Sequence, residues 1–345
     1  MNSMASSFYV PDHLHASAPA ECRGQARDSV RLMVLDRRTG AAYHDHFKQL
    51  GDYLLPGDLL VLNNSRTIPS VLKAQYMDEE IEVRLSRQVS NTDWEALLVN
   101  KNLQIGTSLT FPEETAAIIK KAGSEPPLVT LSFSKSGPEL FELFYRYGEP
   151  IRYEYVKEPW PLESFQTVYG SVPGSVEMAS AGRAITWKML QQLKKKGIQS
   201  AFLQLHAGLT YYGDDRWPTP IFHPEQTTIP KQTAQLIHDT KRNGGRIIAV
   251  GTTVVRSLET AVDEYGIVEP FSGVTNLYIN DGYRLQVVDG LLTGFHEPEA
   301  SHLDMLKAFM NPDHLLSAYN EAISEHYLWH EFGDMNLILP LEKER

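Results

Sequence analysis

Residues 246–259 read Arg-Ile-Ile-Ala-Val-Gly-Thr-Thr-Val-Val-Arg-Ser-Leu-Glu. The apolar run after Arg246 predicts a short buried strand, and apolar residues at helical spacing beyond the Gly-Thr-Thr corner predict a helix. The amino end of such a helix presents unpaired backbone N–H groups and the positive end of the helix dipole. The corner is therefore a candidate anion site, although threonines that only cap the helix explain this segment equally well. The residues of this candidate site are Gly251, Thr252, Thr253 and Arg256.

The composition is that of an ordinary globular protein, with 42% apolar and 22% charged residues. The length of 345 residues predicts two domains, or one large domain with an insert. A net charge of −11 argues against non-specific coating of nucleic acid, but an enzyme for one RNA needs only a local basic surface. The single cysteine, the lack of a long apolar run and the lack of a signal-peptide pattern predict a cytoplasmic protein with no membrane segment.

The pattern of the chain changes near residue 71 and again near residue 155. The stretch 71–155 contains short apolar runs separated by turn residues at near-regular spacing, which is typical of a small antiparallel barrel. The rest of the chain mixes strands and helices. We therefore predict a mixed α/β (α+β) fold, with a mixed-sheet catalytic domain formed by 1–70 and 156–345 and an inserted β-barrel domain at 71–155.

Several elements of the main domain have clear boundary signals. Residues 31–36, 59–62 and 201–205 are predicted strands. Thr186 and Pro230 each precede or open a predicted helix, and glycines follow both helices. The Asn-Asp-Gly sequence at 280–282 predicts a hairpin between strands at 276–279 and 283–288. A last helix is predicted at about 312–327.

Three histidines lie in loops beside small or turn-forming residues: His206, His223 and His296. A loop histidine after a strand can serve as a general base, a proton donor or a metal ligand. A hydrogen-bonded structural role is the commoner outcome for any one of them, but we expect at least one of the three to be functional. Because no cysteine or His-x-x-x-His pair accompanies them, the sequence predicts that no metal is bound.

Another polar loop, 63–69, follows the strand at 59–62 and contains Arg66. This arginine could bind a carboxylate or phosphate, or it could be a surface charge. The sequence contains no Gly-x-Gly-x-x-Gly, P-loop or Gly-x-Ser-x-Gly motif. These absences argue against a dinucleotide oxidoreductase, a kinase and a serine hydrolase.

An ordered series of motifs extends along the chain. In order they are Asp58-Leu-Leu-Val-Leu-Asn-Asn-Ser-Arg-Thr-Ile-Pro69, Gln166-Thr-Val-Tyr169, Ala181-Gly182, Leu205-His206, Gly251-Thr-Thr-Val-Val-Arg256, Phe295-His296-x-Pro298 and Gly333-Asp334. From about Phe8 to Ile338 the chain thereby resembles the S-adenosylmethionine:tRNA ribosyltransferase-isomerase family of queuosine biosynthesis. Only the barrel stretch is weakly constrained by the match, and a series of this length is far more specific than any one of its motifs.

The resemblance implies a fold, a reaction and partners. The fold is a larger mixed domain with a small inserted barrel. The reaction is a tRNA modification by a cytoplasmic transferase and isomerase, in which the ribosyl part of S-adenosylmethionine is transferred to the 7-aminomethyl-7-deazaguanine of tRNA. Adenine and methionine leave, and epoxyqueuosine is formed. S-adenosylmethionine is thus a substrate, tRNA is the partner, and we expect a monomer with no metal.

This chemistry needs a base for the carbon beside the sulfonium, an acid for departing adenine and an anion site. The resemblance suggests His296 or His206 as the base, and Asp334 or Glu259 as a group that orients a histidine or contacts adenine. The residues expected to bind S-adenosylmethionine are Gly251, Thr252, Thr253, Arg256, Ala181, Gly182 and Arg66.

The sequence departs from the family pattern inside these same motifs. The substituted positions are Ala184 for a histidine, Thr210 for a glycine, Glu297 for an apolar residue and Leu328 for an arginine, with Arg183, His330 and Glu331 gained nearby. Because fold does not fix function, two alternatives to the family reaction remain. The protein is then either a paralogue that uses S-adenosylmethionine with a non-tRNA acceptor, or a non-catalytic relative that binds S-adenosylmethionine or RNA. Drift within one activity is the other explanation, with Arg183 and His330 supplying the lost charges.

Overall fold

The computed structural model describes residues 8–213, 216–298 and 301–341. The strands are β1 (Arg31–Asp36), β2 (Ala42–His46), β3 (Leu59–Asn63), β4 (Ser65–Thr67), β5 (Val71–Tyr76), β6 (Glu79–Gln88), β7 (Asp93–Leu98), β8 (Ser108–Phe111), β9 (Thr115–Ala122), β10 (Val129–Phe133), β11 (Val172–Ser175), β12 (Gln199–Leu205), β13 (Glu225–Ile229), β14 (Ile247–Val250), β15 (Phe271–Thr275), β16 (Gly290–Gly294) and β17 (Met335–Leu339). The α-helices are α1 (Gly137–Tyr147), α2 (Trp187–Lys195), α3 (Lys231–Arg242), α4 (Thr252–Thr260), α5 (Ser301–Leu306) and α6 (Pro312–Ser324). Short 3₁₀ turns occur at Asp12–Leu14, Ala20–Arg23, Arg27–Ser29, Phe47–Asp52, Leu162–Phe165, Ser180–Gly182 and Pro220–Phe222.

A nine-stranded mixed sheet forms the centre of the molecule, in the order β15-β13-β12-β3-β14-β16-β17-β1-β2. The strands β12, β3, β14 and β16 run parallel to one another. Strand β17 is antiparallel to β16 and parallel to β1. The carboxyl ends of four central strands and the amino ends of β17 and β1 therefore meet at one edge, the edge at which open α/β sheets bind ligands.

Helices or loops cover both faces of the sheet, and the central strands accordingly consist mainly of apolar residues. In β3, Leu59 and Val61 belong to the core beneath α3, α4 and α6, whereas Leu60 and Leu62 belong to the core beneath α2. Successive side chains of a strand point to opposite faces, so a strand buried on both sides needs a continuous apolar run. This confirms the buried strands predicted at 31–36, 59–62 and 247–250.

The predicted helix boundaries follow from their capping residues. Helix α2 begins at Trp187 because the Thr186 hydroxyl accepts a hydrogen bond from the Met189 amide at 3.2 Å. It ends before Gly197, whose φ of 82° lies in the left-handed region. Helix α3 follows Pro230 and ends before Gly244. Among the described helices, none combines the length and apolar character that a membrane crossing requires.

The stretch after residue 70 forms a closed antiparallel barrel in the order β10-β7-β6-β5-β8-β9. Helix α1 packs on this barrel, where Phe144 meets the buried Trp94 edge-on with ring centroids 5.3 Å apart. The mixed α+β fold with a small antiparallel barrel is thus confirmed. The barrel strands lie inside the predicted insert at 71–155, and the exact division into domains stays a prediction.

In the carboxyl-terminal half, the hairpin prediction is wrong, and the predicted last helix is confirmed with an earlier end. The segment 276–288 makes a turn at 280–283 but forms no hairpin strands. The amides of 286–288 instead donate to the Glu259 carboxylate, which replaces the strand pairing that the turn signal suggested. The last helix ends at Ser324 rather than near 327, and His326 beyond it has a left-handed φ of 57°.

Candidate active site

A cavity of about 600 Å³ opens at the ligand-binding edge of the main sheet. The loops that follow β14 and β16 form one wall, and the segments around 150–155 and 176–181 form another. A volume of this size holds a nucleoside-sized ligand. The residues that line the cavity include Gly251, Thr252, Thr253, Arg256, Ala181, His296, Glu297, His302, His223, Glu225, Tyr153, Tyr155, Glu177, Thr210, Tyr211, Trp217, His330 and Glu331.

The Gly251 corner places the amino end of α4 on this cavity. Gly251 has a φ of 97°, and a Cβ there would lie 3.3 Å from the Cβ of Ala181. A side chain would therefore be strained in this backbone conformation and would crowd the wall. The first-turn amides of α4, at Thr252 and Thr253, belong to the helix end that favours anions.

Arg256 also lines the cavity, but its positive charge is already paired. Its Nη1 makes an ion pair with the Glu225 carboxylate, and its Nε donates to the Leu277 carbonyl at 3.1 Å. Burial, the largest single influence, opposes the charge of Glu225, but Arg256, His223 and the Gly208 amide together outweigh it and lower the pKa of that carboxyl. An anion bound here would therefore depend mainly on the amides and hydroxyls of Thr252 and Thr253.

His296 is the one proposed base whose ring faces the cavity. Its Nε2 lies 2.7 Å from the Thr293 hydroxyl, and its ring stacks on His302 with centroids 5.0 Å apart. Burial lowers the pKa of His296 well below the ordinary value, and His302 and His330 add to the effect. The imidazole is consequently neutral at pH 7, the protonation state that can accept a proton.

Two further histidines line the same cavity. Burial, with a smaller contribution from Arg256, lowers the pKa of His302 to about 4. The sequence analysis missed His302 because it lies in α5 rather than at a strand end, and only its closeness to His296 along the chain could have indicated it. His223, which was considered, is buried, and its Nε2 has no hydrogen-bond partner among the described residues.

Two partly buried carboxylates, Glu177 and Glu331, also line the cavity. Glu177 accepts hydrogen bonds from the Thr210 amide at 2.6 Å, from the Thr210 hydroxyl at 2.8 Å and from the Tyr153 hydroxyl. Burial raises the pKa of Glu177 to about 7, although these hydrogen bonds oppose the shift. Thr210, one of the departures from the family pattern, thus serves as a donor to a cavity carboxylate.

A second acid–tyrosine pair lies beside the first. The Tyr155 hydroxyl donates to both oxygens of Glu331, at 2.8 and 2.7 Å. Burial raises the pKa of Glu331. The Tyr155 ring stacks on His330 with centroids 4.0 Å apart, and burial, assisted by His15, lowers the pKa of His330 to about 3. Glu177, Tyr153 and Tyr155 gave no signal in the sequence because they lie outside any recognisable motif.

Two predicted catalytic acids, Glu259 and Asp334, accept hydrogen bonds from backbone amides in the structure. Glu259 accepts hydrogen bonds from the amides of Gln286, Val287 and Val288 at 3.0 to 3.2 Å. Asp334 accepts bonds from the Arg31 and Leu328 amides, both at 2.7 Å. Both carboxylates are buried away from the cavity wall. Their geometry therefore favours a structural role.

Other predicted binding residues lie near the cavity without lining it. The His206 ring contacts the Ser65 hydroxyl at 2.7 Å and packs on Gly174. Arg66 donates to the Gly170 carbonyl at 3.4 Å, and Gly182 packs against the Tyr169 hydroxyl. Of the predicted Ala181-Gly182 pair, only Ala181 forms part of the wall.

The gained arginine does not supply charge to the large cavity. Arg183 is buried, where it donates to the Ser164 carbonyl at 2.8 Å and pairs with Glu21 at 3.0 Å. Its guanidinium also lies 5.0 Å from the Phe332 ring centroid. The contacts around Arg183 therefore hold it away from the large cavity. Of the two residues proposed to supply the lost charges only His330 lines that cavity, and its lowered pKa leaves it uncharged at pH 7.

Replacement of Glu259 tests its structural role. The variant Glu259→Ala leaves three amides without their acceptor, and we expect the free energy of unfolding to fall by about 2 kcal/mol. Turnover per folded molecule should stay unchanged. Urea unfolding measures the free energy of unfolding, and the rate of adenine release divided by the concentration of folded protein measures turnover. A variant that is as stable as the wild type but no longer releases adenine would show that Glu259 takes part in catalysis.

The raised pKa of Glu177 predicts a dependence of stability on pH. Between pH 4.5 and about 7 the folded state holds a proton that the unfolded state has released, so stability falls as pH rises through this window. The loss expected is about 3 kcal/mol, and Glu177→Gln should not show it. Urea unfolding at several pH values measures the difference, with the exposed Glu158→Gln as control. Parallel profiles of the wild type and Glu177→Gln would contradict the burial of an ionisable group here.

Comparisons with known proteins agree on one family. A family model described as "Queuosine biosynthesis protein" matches residues 4–338. An S-adenosylmethionine:tRNA ribosyltransferase-isomerase of Caldanaerobacter subterraneus subsp. tengcongensis is 35% identical, over 97% of this chain and 99% of its own length. One from a Thermoanaerobacter species is 34% identical, over 96% and 98%. The crystal structure of an S-adenosylmethionine tRNA ribosyltransferase from Thermotoga maritima is 30% identical with a TM-score of 0.54, over 96% of this chain and 99% of that one.

Proposed function

The chain belongs to the S-adenosylmethionine:tRNA ribosyltransferase-isomerase family of queuosine biosynthesis, and we propose that the large cavity is where it carries out this reaction. The protein is a transferase-isomerase that moves the ribosyl part of S-adenosylmethionine onto the 7-aminomethyl-7-deazaguanine of tRNA, releasing adenine and methionine. The observation that carries the location is that a neutral, partly buried histidine, a helix amino end and a partly buried carboxylate line one cavity. We further propose that the enzyme acts as a monomer in the cytoplasm.

His296 is the base in this proposal. The positive sulfur of S-adenosylmethionine acidifies the adjacent ribose carbon, so a neutral imidazole at that carbon can remove its proton. The ring of His296 is partly buried and unprotonated at pH 7. Its contact with Thr293 fixes the ring orientation, and a fixed orientation raises the efficiency of proton transfer.

The amino end of α4 holds the methionine carboxylate. The amides and hydroxyls of Thr252 and Thr253 lie on the cavity, and the helix dipole adds a favourable field for an anion. Arg256 supports this wall through its pair with Glu225. Its role is therefore to position the helix rather than to bind the carboxylate directly.

Glu177 acts on the aminomethyl group of the acceptor. An amine must lose a proton as it forms a bond to carbon, and a carboxylate whose pKa is about 7 is well matched to take that proton at neutral pH. The hydrogen bonds from Thr210 and Tyr153 hold the carboxylate in one orientation. The departure at Thr210 is thereby part of the same active site.

The rim of the cavity favours an RNA acceptor over a small amine. The rings of Tyr211 and Trp217 lie at the cavity with centroids 5.1 Å apart, and Trp217 is exposed. Aromatic faces at a cavity entrance stack on unpaired bases, as in single-stranded RNA recognition. The comparisons likewise favour tRNA over the non-tRNA acceptor and the non-catalytic relative.

The experiment that tests the function is the release of adenine and methionine from S-adenosylmethionine. We expect release with tRNA that carries 7-aminomethyl-7-deazaguanine. Release should be absent with the same tRNA carrying guanine at that position. Release of adenine and methionine with small amines but not with the modified tRNA would show that the acceptor is a small amine. Folded protein that releases neither product with any acceptor would contradict the function.

A further inference from the structure

Three metal-ligating side chains meet at the edge of the cavity: His15, Glu297 and His330. His15 Nδ1, a carboxylate oxygen of Glu297 and His330 Nε2 all lie within 4.8 Å of one another. His330 Nε2 is 3.4 Å from Glu297 Oε1 and contacts His15 Nδ1 directly. Each residue is partly buried, so the group is neither a surface cluster nor a sealed core.

The topology of the sheet brings these residues together from distant segments. Glu297 follows the carboxyl end of β16, and His330 precedes the amino end of the antiparallel β17. The backbone around His15 pairs with Trp329, through the Ala16 amide to the Trp329 carbonyl at 3.2 Å and the Trp329 amide to the Leu14 carbonyl at 2.9 Å. The spacing is thus fixed by main-chain hydrogen bonds rather than by the side chains themselves.

We propose that His15, Glu297 and His330 form a binding site for Zn²⁺. Two imidazole nitrogens and one carboxylate oxygen are the donor set of open zinc sites. Bonds of 2.0–2.1 Å in a tetrahedral site separate the ligand atoms by about 3.3 Å. The separation of 3.4 Å between His330 Nε2 and Glu297 Oε1 is close to this value, and binding of the ion requires the contacting nitrogens of His15 and His330 to move apart.

The surroundings of His330 hold it as a ligand. The Tyr155 ring stacks on the face of the His330 ring, with centroids 4.0 Å apart and an interplanar angle of 11°, and the Nε2 edge of His330 faces Nδ1 of His15. Tyr155 is itself fixed by its hydrogen bonds to Glu331. Outer contacts of this kind orient metal ligands and tune their affinity. His330 also has a left-handed φ of 72°, a conformation that non-glycine residues adopt rarely and mostly at functional positions.

The fourth coordination position of the ion would face the cavity. Glu297 and His330 both line it, whereas His15 approaches from the amino-terminal segment. Three protein ligands leave one position for water or for an oxygen or nitrogen of a bound molecule. An ion at this site would fasten the amino-terminal segment to the cavity rim, and this proposal departs from the expectation from sequence that no metal is bound. Metal binding here does not depend on the proposed reaction.

Titration of the metal-stripped full-length protein with Co²⁺ tests the site, because Co²⁺ in a zinc site absorbs visible light. We expect saturation at one equivalent, and displacement of Co²⁺ by Zn²⁺. His330→Ala and Glu297→Gln should each weaken binding by about 100-fold or more. His13→Ala, which removes a neighbouring exposed histidine, should leave it unchanged.

The titration needs neither S-adenosylmethionine nor tRNA, so its outcome is separate from that of the release assay. Circular dichroism establishes that each variant is folded. If His330→Ala does not fold, Glu297→Gln and His15→Gln decide the result, because both keep side-chain volume. Absence of Co²⁺ absorption in the wild type would overturn the proposal. Equal binding by the wild type and all folded ligand variants would also overturn it, since the metal would then lie elsewhere.

Discussion

Replacement of His296 by glutamine is expected to lower the rate of adenine release by about 100- to 10,000-fold, the usual contribution of a positioned general base. Glutamine keeps a polar group near Thr293, which His296 contacts at 2.7 Å. It has no basic nitrogen, so it cannot take the proton from the carbon beside the sulfonium. Single-turnover release of adenine with the modified tRNA measures the effect.

The matched control for this variant is His238→Gln. His238 is an exposed histidine on α3, and its replacement should leave adenine release and the melting temperature unchanged. The His296 variant should still bind S-adenosylmethionine within a few-fold of the wild type, because the anion site on α4 is intact. A His296→Gln enzyme that kept wild-type turnover would exclude this residue as the base.

Loss of either partner of the Arg256–Glu225 pair is expected to destabilise the protein by about 3–5 kcal/mol. Glu225 is 4% exposed and Arg256 is 15% exposed at the side chain, so either residue would leave a poorly solvated charge behind. The variants are Arg256→Met and Glu225→Gln, and urea unfolding measures the change. The double variant should recover a large part of the loss, because no unpaired charge remains.

An exposed ion pair provides the comparison. Arg242 lies 3.3 Å from Asp239 on α3, and Arg242→Met should change stability by less than about 1 kcal/mol. A contrary result for Arg256 is also informative. If Arg256→Met were as stable as the wild type but bound S-adenosylmethionine far more weakly, Arg256 would be a direct ligand, as the sequence analysis predicted.

Local patterns predicted most of the fold. The apolar run of β14, the Thr186 cap and the glycines after α2 and α3 are short-range signals, and each specified its element. The hairpin at 276–288 failed because a carboxylate from α4 took the backbone bonds that a strand would have used. No local pattern contains the strand order of the sheet, since β3 pairs with β12 and β14, which lie more than 130 residues further along the chain.

The clearest predictions of the candidate site are those in which a motif follows a strand. The Gly251 corner and His296 are such positions, and both line the cavity. Glu259 and Asp334 were assigned to catalysis because a sequence does not reveal whether a carboxylate points to a ligand or to backbone amides. Glu177 was missed because burial among distant segments, rather than any neighbour in sequence, raises its pKa.

Four of the residues that depart from the family pattern lie together in the structure. Thr210, Glu297 and the adjacent pair His330 and Glu331 come from three separate parts of the sequence, yet all four line the cavity. Thr210 binds Glu177, Glu331 binds Tyr155, and Glu297 lies beside His330. Each of these four residues therefore has a partner inside the same site, which is what a retained activity with a rearranged wall requires.

The most direct measurement is nucleoside analysis by mass spectrometry of tRNA incubated with the protein and S-adenosylmethionine. The tRNA should initially carry 7-aminomethyl-7-deazaguanine. We predict that this nucleoside disappears and that epoxyqueuosine appears in its place, in step with the adenine released. Unchanged tRNA in the presence of folded protein that binds S-adenosylmethionine would contradict the proposed reaction.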